Sequence, residues 1–175
     1  MNEKKELKKN WNLFLIGFMG CGKSTVSDCF SREYGMEKVE MDEQIERNEG
    51  KTIAEIFAGD GEEHFRFLET ELLRQFRSKQ NTVVSCGGGT AMRECNVREM
   101  KKHGKIVLLK AEPQTVYERV RNFHNRPLLE GNMNVEYIAS LMEKRAPRYE
   151  AAADIVISTD GKTVSEICSE IVSKF

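Results

Sequence analysis

Residues 12–25 read NLFLIGFMGCGKST, and this stretch decides the fold. Its first five residues predict a short buried strand, and residues 17–24 fit the pattern G-x-x-x-x-G-K-[ST]. Glycines let the backbone turn tightly around an anion, and a helix that begins near Gly22 presents free N–H groups to the same anion. Lys23 adds a positive charge, and the hydroxyl of Ser24 is a ligand for Mg²⁺. The stretch therefore predicts a site for nucleotide phosphates.

The composition indicates one globular domain that spans residues 1–175. The chain has a formal net charge of −1, with 39% hydrophobic and 31% charged residues. Such a small charge gives no overall field that would attract nucleic acid or a membrane surface, so we expect neither as a partner. The apolar run Leu13–Ile16 is too short for a signal peptide or a membrane span. Five dispersed cysteines without a C-x-x-C pair favour a reducing cytoplasm.

Two carboxylates follow a second predicted strand, Lys38–Met41. Glu40 and Asp42 are two residues apart in an extended segment, so their side chains point to the same side. Because the carboxyl ends of parallel strands border the ligand crevice, we expect both carboxylates near the phosphate site. The alternative for Asp42 is that it only caps the next helix.

A predicted long helix, Glu62–Lys79, carries Arg66 and Glu69 three residues apart, where their side chains can pair. The alternative for Arg66 is a solvated surface position. A third strand, Thr82–Ser85, then runs into glycines 87–89. Three glycines at a strand end suggest that the backbone approaches a ligand closely, and the alternative is a flexible loop.

The second half of the chain contains a polar, irregular segment, about 122–134, of the right size for a mobile lid. The helix after it, Val135–Arg145, is expected to end before Pro147. Arg145 and Arg148 would then lie near its end, where compensation of the helix dipole is their simplest explanation.

Predicted strands alternate with helices along the whole chain. This alternation predicts a parallel sheet covered by helices on both faces, which is a three-layer α/β/α architecture. The predicted strands are 12–16, 38–41, 82–85, 106–110 and 154–158.

Six sequence blocks, taken in order, resemble those of shikimate kinases from one end of the chain to the other. They are GFMGCGKST (17–25), MDEQIE (41–46), IFAGDGEEHFRFLE (56–69), SCGGG (85–89), NRPLL (125–129) and MEKRAPRY (142–149). The phosphate loop alone is shared by a large superfamily, whereas the complete set is specific. The resemblance implies a P-loop kinase fold with a five-stranded parallel sheet of order 2-3-1-4-5. It also implies phosphorylation of the 3-hydroxyl of shikimate with ATP and Mg²⁺, in aromatic amino acid biosynthesis. We expect the protein to be a monomer.

The same resemblance implies a role for each matching residue. The residues that would contact ATP are Gly20, Cys21, Gly22, Lys23, Ser24, Thr25, Arg119 and Arg126. The residues that would contact shikimate are Asp42, Arg66, Gly88, Gly89 and Arg145. Arg66 and Arg145 would hold its carboxylate, Asp42 would orient or deprotonate the attacking hydroxyl, and Glu69 would steady Arg66. Lys23, Asp42 and the lid residue Arg126 form the catalytic set, and Ser24 would bind Mg²⁺.

This chain departs from the resemblance at one position. Where the family usually has Asp-x-Asp, the chain has Glu40-Met41-Asp42. Glu40 would reach the metal through its water shell, with a side chain one methylene longer than aspartate. For Cys21, the alternatives are a reactive thiol in a positive environment and a small side chain at a variable loop position.

Three other functions compete with this one. A gluconate kinase would also bind an anionic polyol, so only an assay separates the two. A GTPase-like switch requires N-K-x-D and D-x-x-G motifs, and the chain has neither. A catalytically inactive binding module would not need the complete set of candidate residues.

Overall fold

The computed structural model describes residues 11–122 and 133–175. In these ranges five parallel strands form one sheet with the order β2-β3-β1-β4-β5. The strands are β1 Asn12–Ile16, β2 Glu37–Glu40, β3 Thr82–Ser85, β4 Gly104–Lys110 and β5 Ile155–Ser158. The predicted sheet and its strand order are confirmed.

Within the same ranges, eight α-helices connect and cover the strands. They are α1 Lys23–Tyr34, α2 Met41–Glu49, α3 Ile53–Gly59, α4 Glu62–Gln75, α5 Glu94–His103, α6 Pro113–Val120, α7 Val135–Ala152 and α8 Val164–Ser173. Short 3₁₀ turns at Phe76–Ser78 and Thr90–Met92 follow α4 and β3 respectively. None of the described helices is both long and apolar enough to cross a membrane.

The sheet separates two hydrophobic cores. Every residue of β1 is buried, because alternate side chains enter opposite cores. One core lies under α1, α6 and α8, and the other lies under α2, α3, α4 and α5. Helix α7 contributes Ile138 to the first core and Tyr149 to the second, so it packs against both cores.

Several predicted boundaries are wrong, and three of them change where a helix begins or ends. Strand β2 ends at Glu40 and Met41 already begins α2, so Asp42 lies in the first turn of that helix and does not cap it. The long helix ends at Gln75 and continues only as a 3₁₀ turn, not to Lys79.

The third error concerns α7, which continues through Pro147 to Ala152. Proline removes one backbone hydrogen bond from a helix. Here burial of Tyr149 and Ala152 in the second core stabilises the turns beyond the proline. Arg145 and Arg148 are therefore interior residues of α7, and compensation of the dipole at a helix end does not explain them.

Candidate active site

The phosphate loop connects β1 to α1 and has the backbone shape that the sequence predicts. Gly17, Gly20 and Gly22 have φ angles of 141°, 77° and 94°, which side chains other than glycine rarely adopt. Helix α1 begins at Lys23, one residue from the predicted start. The ammonium of Lys23 donates hydrogen bonds to the carbonyls of Gly17, at 2.8 Å, and Phe18, at 3.0 Å. The lysine is thus held over the loop in which phosphate would lie.

Two neighbours of the lysine differ in their environment. Cys21 is buried, and this burial raises the pKa of its thiol, although Lys23 and Arg119 act in the opposite direction. A thiol with a raised pKa is a poor nucleophile, which favours the interpretation of Cys21 as a small packed side chain. Thr25 is exposed in the first turn of α1.

Glu40 lies beside the hydroxyl that is predicted to bind Mg²⁺. The hydroxyl of Ser24 donates to Glu40 Oε2 at 3.0 Å, and the hydroxyl of Ser27 donates to Oε1 at 2.9 Å. The ammonium of Lys38 lies 3.3 Å from Oε1. Hydroxyl and carboxylate oxygens are the ligands that Mg²⁺ prefers, so the chemistry of this cluster fits that ion. The extra methylene of glutamate does not keep it from the site.

Asp42 faces the glycines that follow β3. A Cβ added at Gly87 would lie 2.9 Å from Asp42 Oδ1 and 3.4 Å from Glu69 Oε1, so the two carboxylates approach the same point. The carboxylate of Asp42 can be reached by solvent, but the surrounding protein removes part of its hydration. This partial burial raises the pKa of Asp42, the charge of Glu69 raises it further, and Lys23 opposes both. Asp42 is therefore a carboxylate with increased affinity for a proton.

Arg66 is not a solvated surface residue. Its guanidinium donates to Glu69 at 2.8 Å and to Glu62 at 3.0 Å, which confirms the predicted pair with Glu69. Glu69 is fully buried, and its second oxygen accepts a hydrogen bond of 2.6 Å from the hydroxyl of Thr90. A buried carboxylate with two strong partners is a fixed anchor, so Arg66 has a defined position.

Gly89 and Gly88 lie directly against the two arginines that are predicted to bind shikimate. A Cβ at Gly89 would lie 2.6 Å from Arg66 Nη1, and one at Gly88 would lie 3.6 Å from Arg145 Nη1. The guanidinium of Arg145 donates to the Gly88 carbonyl at 3.5 Å and lies 5.9 Å from the ring of Phe18 in the phosphate loop. The fold thus brings together two helices, α4 and α7, on either side of the glycine segment.

Arg119 of α6 borders the phosphate loop from the other side. It donates to the Gly20 carbonyl at 3.0 Å and to the hydroxyl of Thr159 at 3.3 Å. Arg119 is exposed, so its planar guanidinium is open to a ligand. The predicted lid falls mainly on residues 123–132, and these residues, with Arg126, lie outside the described part of the chain.

Sequence patterns did not indicate three buried polar residues around the site. Thr90 holds Glu69, the amide of Asn96 donates to the Thr90 carbonyl at 3.1 Å, and Tyr149 donates to the Gly88 carbonyl at 2.6 Å. All three are at most 4% exposed. Their partners lie six to 61 positions away in the sequence, so no local spacing marks them.

The glycine loop at the end of β1, its lysine and the adjacent hydroxyl–carboxylate cluster define a P-loop kinase, and the sheet order agrees. The chain belongs to the shikimate kinase family, because the family model described as Shikimate kinase matches residues 19–175. A shikimate kinase from Persephonella marina is 42% identical over 163 residues, which cover 93% of this chain and 98% of that relative.

Solved structures agree with this assignment. Shikimate kinase from Acinetobacter baumannii, in complex with shikimate, aligns with a TM-score of 0.86 at 30% identity, covering 95% of this chain and 93% of its own. A gluconokinase from Sinorhizobium meliloti aligns with a TM-score of 0.58 at 19% identity, covering 94% of this chain and 90% of its own. The second similarity shows a shared fold alone.

Proposed function

We propose that the protein transfers the γ-phosphate of ATP to the 3-hydroxyl of shikimate, as a step of aromatic amino acid biosynthesis. The observation that carries this proposal is the meeting of Asp42, Arg66 and Arg145 around glycines 87–89, beside the phosphate loop. Two arginines and a carboxylate suit an acceptor that carries one carboxylate and several hydroxyls.

The nucleotide side consists of residues 20–25 and Arg119. Lys23 would exchange its bonds to the loop carbonyls for bonds to the β- and γ-phosphates. Arg119, held by Gly20 and Thr159, would lie against the adenine ring. Ser24 would hold Mg²⁺ directly, and Glu40 would accept hydrogen bonds from the ion's water ligands. When bound, Mg²⁺ neutralises charge on the phosphates.

The acceptor side consists of the two arginines, Asp42 and the glycine segment. Arg66 and Arg145 would hold the shikimate carboxylate as a charge-assisted pair, with Arg66 fixed by Glu69. The amide groups of Gly88 and Gly89 would contact the same substrate. Asp42 would then orient the 3-hydroxyl and accept its proton, a task that a raised pKa assists.

Arg126, in a lid of about 122–134, would stabilise the transferring phosphoryl group, and closure would exclude water from the reaction. We also propose a single domain over residues 1–175 that acts as a cytoplasmic monomer, with no nucleic-acid or membrane partner.

An ADP-release assay with purified protein tests this function. Shikimate, quinate and gluconate are compared as acceptors at equal concentration, with ATP and Mg²⁺ present, and mass spectrometry identifies the product. We expect ADP and a singly phosphorylated product with shikimate, and no more than background ATP hydrolysis with gluconate. Faster turnover of gluconate than of shikimate would overturn the substrate assignment.

A further inference from the structure

Tyr149 makes a short hydrogen bond to the backbone of the proposed acceptor site. Its hydroxyl donates to the Gly88 carbonyl at 2.6 Å, and its side chain is 4% exposed within the second core. Burial raises the pKa of the Tyr149 phenol, and the smaller effect of Arg145 opposes this. The phenol is therefore a permanent hydrogen-bond donor at neutral pH.

Two further side chains of α7 hold the same backbone segment. Arg145, one helical turn before Tyr149, points its guanidinium at the same Gly88 carbonyl. Arg148 donates to the carbonyl of Met92 at 2.8 Å. Helix α7 thus holds residues 88–92 at both ends.

The direction of the Gly88 carbonyl determines the direction of the next amide. In a planar trans peptide the C=O of one residue and the N–H of the next point in opposite directions. Because the Gly88 carbonyl is bonded to α7, the N–H of Gly89 points away from α7. Gly89 is also the glycine that lies against the guanidinium of Arg66. Among the described residues, no protein acceptor takes the N–H of Gly88 or Gly89.

A glycine segment does not keep such an orientation by itself. Glycine has more conformational freedom than any other residue, and three in succession can rotate their peptide planes readily. The Thr90 amide bonds to the Gly87 carbonyl at 3.1 Å, which fixes the start of the turn but not the peptide between Gly88 and Gly89. Among the described residues, Tyr149 donates the shorter of the two side-chain hydrogen bonds to that peptide, at 2.6 Å against 3.5 Å for Arg145.

We propose that Tyr149 is a positioning residue for the acceptor: its hydroxyl fixes the 88–89 peptide so that the Gly89 N–H is presented to shikimate, and it keeps Arg145 beside that peptide. Tyr149 does not touch the substrate in this scheme. The inference rests on the proposed function, because it assumes that shikimate binds between Arg66, Arg145 and the glycine segment.

Steady-state kinetics of Tyr149→Phe test this role, because the substitution removes only the hydroxyl. One net hydrogen bond corresponds to about a three- to tenfold change in an equilibrium constant, so we expect the KM for shikimate to rise by that factor. The KM for ATP and kcat should remain within about twofold. Tyr137→Phe removes a hydroxyl from the opposite end of α7, where the ring packs on the first core, and should change neither KM.

Hydrogen exchange provides a second measurement that does not depend on turnover. Amides in a peptide covering residues 87–92 should exchange faster in Tyr149→Phe than in the wild-type protein, and those of α1 should not. An equal increase across the whole chain, or a KM for ATP that rises as much as the KM for shikimate, would show a general structural defect and overturn the positioning role.

Arg145→Ala separates this inference from the proposed function. If Arg145→Ala raises the KM for shikimate and Tyr149→Phe does not, the acceptor site stands and the role of Tyr149 is wrong. If neither substitution changes that KM, the proposed acceptor site is wrong and the inference is overturned with it.

Discussion

Two glycine-rich turns follow neighbouring strands, β1 and β3, and both border the candidate site, but they need glycine for different reasons. In the phosphate loop, Gly17, Gly20 and Gly22 have positive φ angles, so the backbone shape itself requires glycine. Gly89 has a φ of −93°, which any residue can adopt. There a Cβ would collide with the guanidinium of Arg66. One turn is shaped to bind an anion, and the other leaves room for side chains from distant helices.

This difference predicts two separable kinds of defect. Changes around the first turn should alter the use of nucleotide and metal, and changes around the second should alter the use of shikimate. Each of the following variants tests that separation.

The largest effects are expected for Arg66→Ala and Arg145→Ala. Loss of one partner from a desolvated charge pair costs about 2–5 kcal/mol, and this should appear in kcat/KM for shikimate with little change in the KM for ATP. Lysine should not restore either site fully, because it lacks the bidentate fork. Arg47→Ala, at an exposed ion pair with Glu43, is the control and should resemble the wild-type protein. Unchanged shikimate kinetics in both site variants would exclude these arginines from the acceptor side.

Asp42→Asn should act on turnover. The substitution keeps the shape of the side chain but removes the proton acceptor, so we expect kcat to fall by about 10²-fold or more. Nucleotide affinity should change little, because Asp42 faces the glycines after β3. Asp60→Asn, which removes only an exposed ion pair with Lys51, serves as the control. A kcat near that of the wild-type protein would mean that Asp42 is not the base.

Gly89→Ala tests the second turn directly. The added Cβ would displace the guanidinium end of the Arg66 side chain, not the backbone, so folding should be normal. Because a displacement of about 1 Å in a binding group can cost up to about 10²-fold, we expect the KM for shikimate to rise by about 10- to 100-fold. Gly59→Ala adds a Cβ to α3 in open space and should have no such effect. Equal kinetics of the two variants would contradict the steric explanation.

Glu40 tests the first turn in the same way. We expect Glu40→Ala to raise the Mg²⁺ concentration for half-maximal rate by about tenfold or somewhat more, at the lower end of the range for residues that orient metal ligands. Glu40→Asp should keep most activity, and Glu40→Gln should lie between them. Glu37→Ala, at an exposed ion pair on the same strand, is the control. Mg²⁺ titrations of all three variants that overlay the wild-type curve would leave Glu40 without a role at the metal.

The first turn could be predicted from sequence because its chemistry is local. Strand, glycines, lysine and hydroxyl lie within residues 12–25, and the pair of Arg66 and Glu69 is also local, at a spacing of three on one helix. The alternation of strands and helices was sufficient to predict the three-layer α/β/α architecture. The strand order came from the resemblance and is confirmed by the sheet.

The second turn could not be explained from sequence. Its three glycines predict close approach but do not identify what approaches, because Asp42, Arg66 and Arg145 come from three different helices. The role of Tyr149 was hidden by Pro147, which predicted a helix end before it. Tertiary packing of Tyr149 and Ala152 outweighs the local preference of proline, and packing of that kind has no local signature.

A double-mutant cycle on Gly89→Ala and Arg66→Ala measures directly whether the two residues act on shikimate binding through each other. Titration calorimetry gives the affinity for shikimate of the wild-type protein, both single variants and the double variant. If glycine at position 89 serves only to leave room for Arg66, the loss caused by Gly89→Ala should disappear in the Arg66→Ala background. Additive losses in the double variant would contradict the steric role of Gly89, because the glycine would then act independently of the arginine.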